Sequence, residues 1–335
     1  MSRPRGFLPQ TLIFLLAGVF PVAAVWQDDV RARLRAETDL VVVPVAVKDA
    51  EGNLINDLRR DEFRILENGV EQEILLFSAD PWPLSAVVLI DNGLSPRAAE
   101  QVQRSLGAIA GGFIELDEVA LGRFEAFFDP LLDFTSDNDK LHDRLRRLTL
   151  AASYPGQGSG PMTSGPRINS APIGSGVPPA SGEDRRMKRI DDAVNAAAVL
   201  LESRPLDRRR IVLIVSDGAN SRNNSATFDG VLHRLLSANI AVYAVGVSGG
   251  LLSRPGSVLS RYARATGGDF LVAESRTTLE SLYSRLTEEA RNLYTLAYRP
   301  PKTDRKSPYR DLDIRVRRIG LNVRARQGYY TPVAP

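Results

Sequence analysis

Residues 86–96 read Ala86-Val87-Val88-Leu89-Ile90-Asp91-Asn92-Gly93-Leu94-Ser95-Pro96: an unbroken apolar run, a carboxylate where it stops, and a proline after a short polar turn. Apolar residues in succession, without alternation, mark a strand covered on both faces, which is the situation of a parallel sheet. Similar runs occur at Val119 to Phe124, Ile211 to Val215 and Ile240 to Val247. Between and after them, apolar side chains recur at helical spacing. The sets are Val102, Leu106, Ile109 and Phe113; Leu141, Leu145 and Leu148; Ile190, Val194, Ala197 and Leu201; Phe228, Leu232, Leu235 and Leu236; and Leu279, Leu282, Leu286 and Leu293. Alternation of this kind predicts an α/β, Rossmann-like, doubly wound and mostly parallel sheet over residues 83–291.

Outward from this unit both ends of the chain read as β. Residues 39–47 are rich in valine and run into the turn Asp49-Ala50-Glu51-Gly52. Phe63 and Ile65, with Val70 and Ile74, flank Asn68-Gly69, a dipeptide that supplies positive φ at low cost and signals a hairpin. At the other end Leu312, Ile314 and Val316 alternate with charged residues, followed by Leu321, Val323 and Ala325. Neither end has enough strands to bury an apolar face alone. Residues 37–80 hold 11 acidic and 4 basic side chains, residues 291–335 hold 3 and 11, so their association is favoured electrostatically. One small β domain assembled from segments 37–82 and 292–335 is expected; the other reading of the basic tail is a solvated strand face.

Residues 151–184 contain 7 Gly, 6 Pro and 6 Ser and read as a flexible loop, far longer than an α/β connection needs. At the start of the chain, Arg3 and Arg5 precede an apolar run from Leu12 to Phe20, with Val22 and Ala24 at the small-residue positions of a cleavage site. Residues 1–24 are therefore expected to be a signal peptide and 25–36 a linker. The stretch from Thr11 to Val25 is shorter than the roughly 20 residues a spanning helix needs. No stable membrane span is expected after cleavage, and the expected location is periplasmic or extracellular.

The composition narrows the chemistry. With 43 Lys and Arg against 40 Asp and Glu, net +3, bulk charge makes no case for nucleic acid. The absence of Cys excludes disulfides, thiolate zinc sites, iron–sulfur clusters and cysteine nucleophiles. The only two histidines, His142 and His233, fall in expected helices, at positions usual for polar surface. No G-x-x-x-x-G-K-[ST] or G-x-G-x-x-G occurs, and export weakens any nucleotide-dependent reading. Paired-carboxylate hydrolysis stays open, because carboxylates are plentiful and their spacing is not legible.

Ligands of open α/β sheets bind beyond the carboxyl ends of the strands. Asp91 ends one run, and Asp217 ends another in Ile214-Val215-Ser216-Asp217-Gly218. Together with the Ser95 hydroxyl they would offer oxygens suited to Mg²⁺. The layout resembles the von Willebrand factor A domain, whose metal-ion-dependent adhesion site uses D-x-S-x-S after the first strand, a Thr before a middle helix and an Asp after a later strand. The flanks extend the likeness. Val47-Lys48-Asp49-Ala50-Glu51-Gly52, Asp57-Leu58, Phe63, Glu67-Asn68-Gly69-Val70, Tyr294-Thr295-Leu296-Ala297-Tyr298 and Arg324-Ala325-Arg326-Gln327-Gly328-Tyr329-Tyr330 resemble the acidobacterial VWFA-related domain family. The resemblance covers about residues 38–331.

Asp91, Ser95 and Asp217 match that family's metal ligands, but Gly93 stands where it has its first Ser. Aligning Asp192-Ala193 with the D-A that follows the family's Thr puts Lys188, within one or two residues, at the Thr position. An ammonium between two carboxylates neutralises them and opposes a divalent ion. The expectation is a degenerate site, with Lys188 bridged to Asp91 or Asp217 and Mg²⁺ bound weakly or not at all. Thr163, Ser175 and Ser181 are the loop oxygens that would speak for a metal. The resemblance implies an exported, non-enzymatic, adhesion-type module with an unidentified protein partner and no nucleic acid or nucleotide. If a metal does bind, a partner's carboxylate would complete its coordination. The alternatives are a metal-assisted extracytoplasmic hydrolase and a structural envelope component that assembles through sheet edges.

Overall fold

The computed structural model describes residues 40–150, 167–168, 171–172, 188–247, 257–273, 275–301 and 308–331. The signal peptide and linker expected over 1–36, and all of the 151–184 loop except the paired residues 167–168 and 171–172, lie outside the described residues. In chain order the strands are β1 (Val41–Lys48), β2 (Phe63–Glu67), β3 (Val70–Gln72), β4 (Leu76–Ser78), β5 (Leu84–Asp91), β6 (Glu118–Phe124), β7 (Phe128–Thr135), β8 (Arg167–Ile168) and β9 (Ala171–Pro172), then β10 (Arg209–Ser216), β11 (Ile240–Val247), β12 (Phe270–Ala273), β13 (Tyr294–Tyr298), β14 (Tyr309–Val316), β15 (Asn322–Ala325) and β16 (Gly328–Tyr330). The helices are α1 (Pro96–Ala110), α2 (Asn138–Arg147), α3 (Ile190–Glu202), α4 (Phe228–Ser237), α5 (Val258–Thr266) and α6 (Arg276–Arg291).

The central sheet has the order β12-β11-β10-β5-β6-β7. Counted along the chain this is 6-5-4-1-2-3, the order of a doubly wound sheet, and it reverses between β5 and β10. All pairings are parallel except β6 with β7. The unbroken apolar run that pointed to the fold now has its cause. Ala86, Val88 and Ile90 enter a core with Val102, Leu106 and Ile109 of α1 and Leu279 and Leu286 of α6. Val87 and Leu89 enter the opposite core with Val194, Ala197 and Leu201 of α3, Val231 and Leu235 of α4, and Tyr262 of α5. Every residue of β5 is buried.

Three elements of this unit go beyond the sequence reading. β7 is an antiparallel edge strand carrying Pro130, tolerated because an edge leaves one row of backbone groups unpaired. β12 has four residues. α5 has nine and stops at Gly267, whose φ of +81° places it in the left-handed region usual for a helix stop.

The terminal segments pair with each other. β1 lies between β13 and β15, with β4 on the far side of β13, and β14 lies between β2 and β16. The β2–β3 turn has positive φ at both Asn68 (+48°) and Gly69 (+80°), as a type I′ hairpin requires. Val43, Val45, Phe63, Ile65, Tyr294, Tyr298 and Ile314 form the shared core. The charge complement is realised in part: Arg318 pairs with Asp57 at 2.8 Å and with Glu62 at 3.1 Å.

Candidate functional site

The switch point between β5 and β10 puts the residues after those strands in one crevice. Ile90 stands opposite Val215, so Asp91 and Ser216-Asp217 emerge side by side. Asp91 is fully buried. Its Oδ2 accepts from Ser216 Oγ at 2.7 Å and from Lys188 Nζ at 3.1 Å, and its Oδ1 accepts from Gly93 N at 2.8 Å. Asp217 Oδ2 accepts from Lys188 Nζ at 2.8 Å and its Oδ1 from Ala219 N at 3.0 Å. All four carboxylate oxygens are thus engaged. Lys188 is 2% exposed.

Burial pushes the Asp91 carboxyl above its ordinary value; Lys188 pulls it back and Asp217 pushes it further up. A fully buried carboxylate beside a second one carries a desolvation cost that only a positive partner offsets. Lys188 is that partner.

Gly93 is tied to the same arrangement. A Cβ there would stand 2.9 Å from Lys188 Cε and 3.2 Å from both Lys188 Cγ and Glu125 Cγ. The lysine stem fills the space in which a side chain at 93 would sit, so the residues at 93 and 188 are sterically coupled. Ser95 precedes α1 at the N-cap position, makes no side-chain cap bond and is exposed. The structure therefore gathers Asp91, Asp217, Lys188 and Gly93, and leaves Ser95 at the crevice edge. Among the described residues no group of three or more His, Asp or Glu is arranged to hold a metal ion.

A second layer was not read from the sequence. Asn220 Oδ1 accepts from Ile190 N at 3.0 Å and from Asn224 Nδ2 at 2.9 Å, while Asn220 Nδ2 donates to Asp191 Oδ2 at 2.8 Å. Asp192 accepts from Ser225 N and Ala226 N, and the Tyr262 hydroxyl donates to Asp191 Oδ1 at 2.7 Å. Burial, with Asp191 beside it, drives the Tyr262 hydroxyl upward, so it stays a donor. This network staples the start of α3 to the loop that carries Asp217, and Ser221 N donating to Lys188 O at 2.7 Å adds to it. The signal was the run Asn220-Ser221-Arg222-Asn223-Asn224-Ser225, dense in side chains that bond to nearby backbone.

At the rim, the β6–β7 hairpin tip presents Phe127 with 77% of its surface exposed. The Arg189 guanidinium lies 5.7 Å from its ring, and Arg189 N donates to Glu125 O at 2.8 Å. The histidines are elsewhere: His142 packs beside Gly107 of α1, and His233 lies against Tyr330.

No family model matches the chain. No curated protein matches it in sequence. Among solved structures it is similar to the von Willebrand factor type A protein from Catenulispora acidiphila, with 8% identity, TM-score 0.47, and 87% of this chain and 73% of that one covered. It is also similar to proximal thread matrix protein 1 from the mussel byssus, with 12% identity, TM-score 0.45, and 64% and 49% covered. BatB from Bacteroides thetaiotaomicron aligns at 13% identity and TM-score 0.38, over 61% and 99%. The matched region spans about half the length, 49%, of the mussel protein. The fold assignment itself stands on the strand order and register of the central sheet.

Proposed function

We propose that this chain is an exported protein-interaction module of the von Willebrand factor A type, akin to the acidobacterial VWFA-related proteins, in which an internal lysine has taken the place of the metal ion. The observation that carries the reading is the Lys188 ammonium, 3.1 Å from Asp91 and 2.8 Å from Asp217 in the switch-point crevice. An ion entering there would have to displace two charge-assisted hydrogen bonds and then share the crevice with a positive charge. The donor set does not fit Mg²⁺ while Lys188 stays in place, so binding runs through surface contacts. Phe127, exposed beside the half-buried Arg189, is the anchor, since aromatic and arginine side chains contribute most to protein recognition.

No helix among the described residues is long and apolar enough to cross a membrane. The partner is a protein met outside the cytoplasm, with no part for nucleic acid or nucleotide.

The test is titration calorimetry of residues 25–335 with Mg²⁺ and Mn²⁺ after chelator treatment, beside Asp91→Ala. The expected result is no saturable heat in either protein. Saturable binding in the wild type that Asp91→Ala abolishes would overturn the lysine-filled site and turn attention to metal-assisted hydrolysis. For the surface, a partner taken from the secreted fraction should be lost with Phe127→Asp and kept with Ile319→Asp. Ile319 is 96% exposed in the turn between β14 and β15 and serves as the control.

A further inference from the structure

A second lysine lies buried between two carboxylates, in a place the switch-point site does not use. Lys48 ends β1, in the terminal β unit. Its Nζ stands 2.6 Å from Oδ2 of Asp269, the residue before β12, and 2.5 Å from Oε2 of Glu289 on α6. The three side chains are 5%, 3% and 1% exposed. The other oxygen of Asp269, Oδ1, accepts from Phe270 N at 2.8 Å and from the Arg324 guanidinium. Among the described residues Glu289 Oε1 has no hydrogen-bond partner, and neither does the nearby buried Tyr243 hydroxyl.

An ordinary salt bridge does not require these features together. An amine in contact with one carboxyl oxygen places the carboxyl carbon one bond further on, within reach of the roughly 3–3.5 Å of a near-attack arrangement. The opposite oxygen of that carboxyl sits on two donors, one a backbone N–H and one a guanidinium, which is how an oxyanion is held. A second carboxyl touches the same amine and keeps one oxygen free. Burial holds Glu289 above its ordinary value even against the pull of Lys48, which suits a group that takes up and returns protons. The dry surroundings penalise the ion pair and do not penalise a neutral amide.

We propose that Lys48 and Asp269 are joined by an intramolecular amide bond, formed at this centre with Glu289 as the proton carrier. Lys48 Nζ attacks Cγ of Asp269, and the electron pair displaced onto Oδ1 is held by Phe270 N and Arg324. Two of the three ammonium protons pass through Glu289 to Oδ2. The Cγ–Oδ2 bond breaks, and Oδ2 leaves as water. The third proton remains on the amide nitrogen, Glu289 ends as it began, and no oxidant or cofactor takes part. The bond would tie the first strand of the terminal β unit to the central domain across 221 positions of a chain that has no Cys for a disulfide.

The experiment is the intact mass of the folded full chain, recorded after denaturation, with its termini set by peptide mapping. The expected mass is lower than the sequence requires by one water, and one protease fragment should contain the Lys48 and Asp269 peptides joined. Lys48→Arg and Glu289→Gln should each return the sequence mass. A wild-type chain at its full sequence mass overturns the proposal whether or not the variants fold. So does a water loss that persists in Lys48→Arg, as a succinimide at Asp217-Gly218 would.

Discussion

The steric link between Gly93 and Lys188 makes a prediction that can be worked through. Gly93→Ser alone forces a side chain to within 2.9 Å of Lys188 Cε. Lys188 cannot swing aside, because its Nζ is held by Asp91 and Asp217. Overpacking of this kind costs about 1–3 kcal/mol. Lys188→Thr alone, with Gly93 kept, strands a fully buried Asp91 beside Asp217, a loss of about 3–5 kcal/mol. In the double variant the serine meets only the 3.2 Å contact with Glu125 Cγ. Its total should therefore fall short of the sum by about 1–2 kcal/mol, within the usual range for touching residues. The double variant also presents two hydroxyls to the two carboxylates with no ammonium between them. Mg²⁺ at about 100 times its dissociation constant should then add about 2.7 kcal/mol to this variant alone. Urea denaturation followed by the fluorescence of Trp82, which is buried, reads all four proteins with and without the ion. Additivity within about 0.5 kcal/mol, or the same Mg²⁺ response in wild type and double variant, would refute the reasoning.

Two further outcomes follow from the structure. In Lys188→Met, Asp91 keeps its burial, its neighbour Asp217 and the Ser216 hydrogen bond but loses the group that lowers it most, so its folded value rises further above the ordinary 3.8. A carboxyl raised on folding binds its proton more tightly in the folded state, so stability is lost as pH climbs from the unfolded value through the folded one. The deficit of this variant against wild type should accordingly be smaller at pH 5 than at pH 7, and equal deficits in urea titrations at both would contradict it. Gly268→Ala should lower stability by at least about 2 kcal/mol by the same urea assay, because its Cβ would overlap the Val242 carbonyl on β11, which is backbone and cannot turn away; a loss below about 0.5 kcal/mol would contradict that contact.

What was legible in the sequence was what depends on neighbours along the chain or on strand ends. β5, β10 and β11 are buried on both faces, so their composition alone separates them from helices and loops. Asp91 and Asp217 stand out because polar residues bound those runs, whereas Lys188 was implied only by the family resemblance, through the alignment of Asp192-Ala193. β7 was not legible: it is a half-buried edge with Asp129, Pro130 and Asp133, so neither alternation nor a continuous apolar run is present. Nor were the contacts of Asn220, Asn224, Asp191 and Tyr262, since a side-chain network has no period. The group of Lys48, Asp269 and Glu289 is the extreme case. Its members lie 221 and 241 residues apart, and nothing local distinguishes any of them from a solvated surface charge.

The two buried lysines show how similar ion pairs lead to different chemistry. Lys188 and Lys48 each sit between two carboxylates at hydrogen-bond distance. At Lys188 one carboxylate, Asp217, is 16% exposed, so water reaches the group and the charges are stabilised where they stand. The Asp91 oxygen that does not face the ammonium, Oδ1, accepts only from a backbone N–H, while the Ser216 hydroxyl donates to the same oxygen as Lys188, so among the described residues no guanidinium stands ready to hold a developing oxyanion and both oxygens of the second acid are engaged. That centre remains an ion pair, as the proposed substitution of a lysine for a metal ion requires. At Lys48 both carboxylates are sealed, one carries two donors on its far oxygen, and the other has an oxygen to spare. Charge separation is costly there, and loss of water removes it. On this reasoning the protein uses one lysine in the proposed place of an ion and another to fasten its terminal β unit without cysteine.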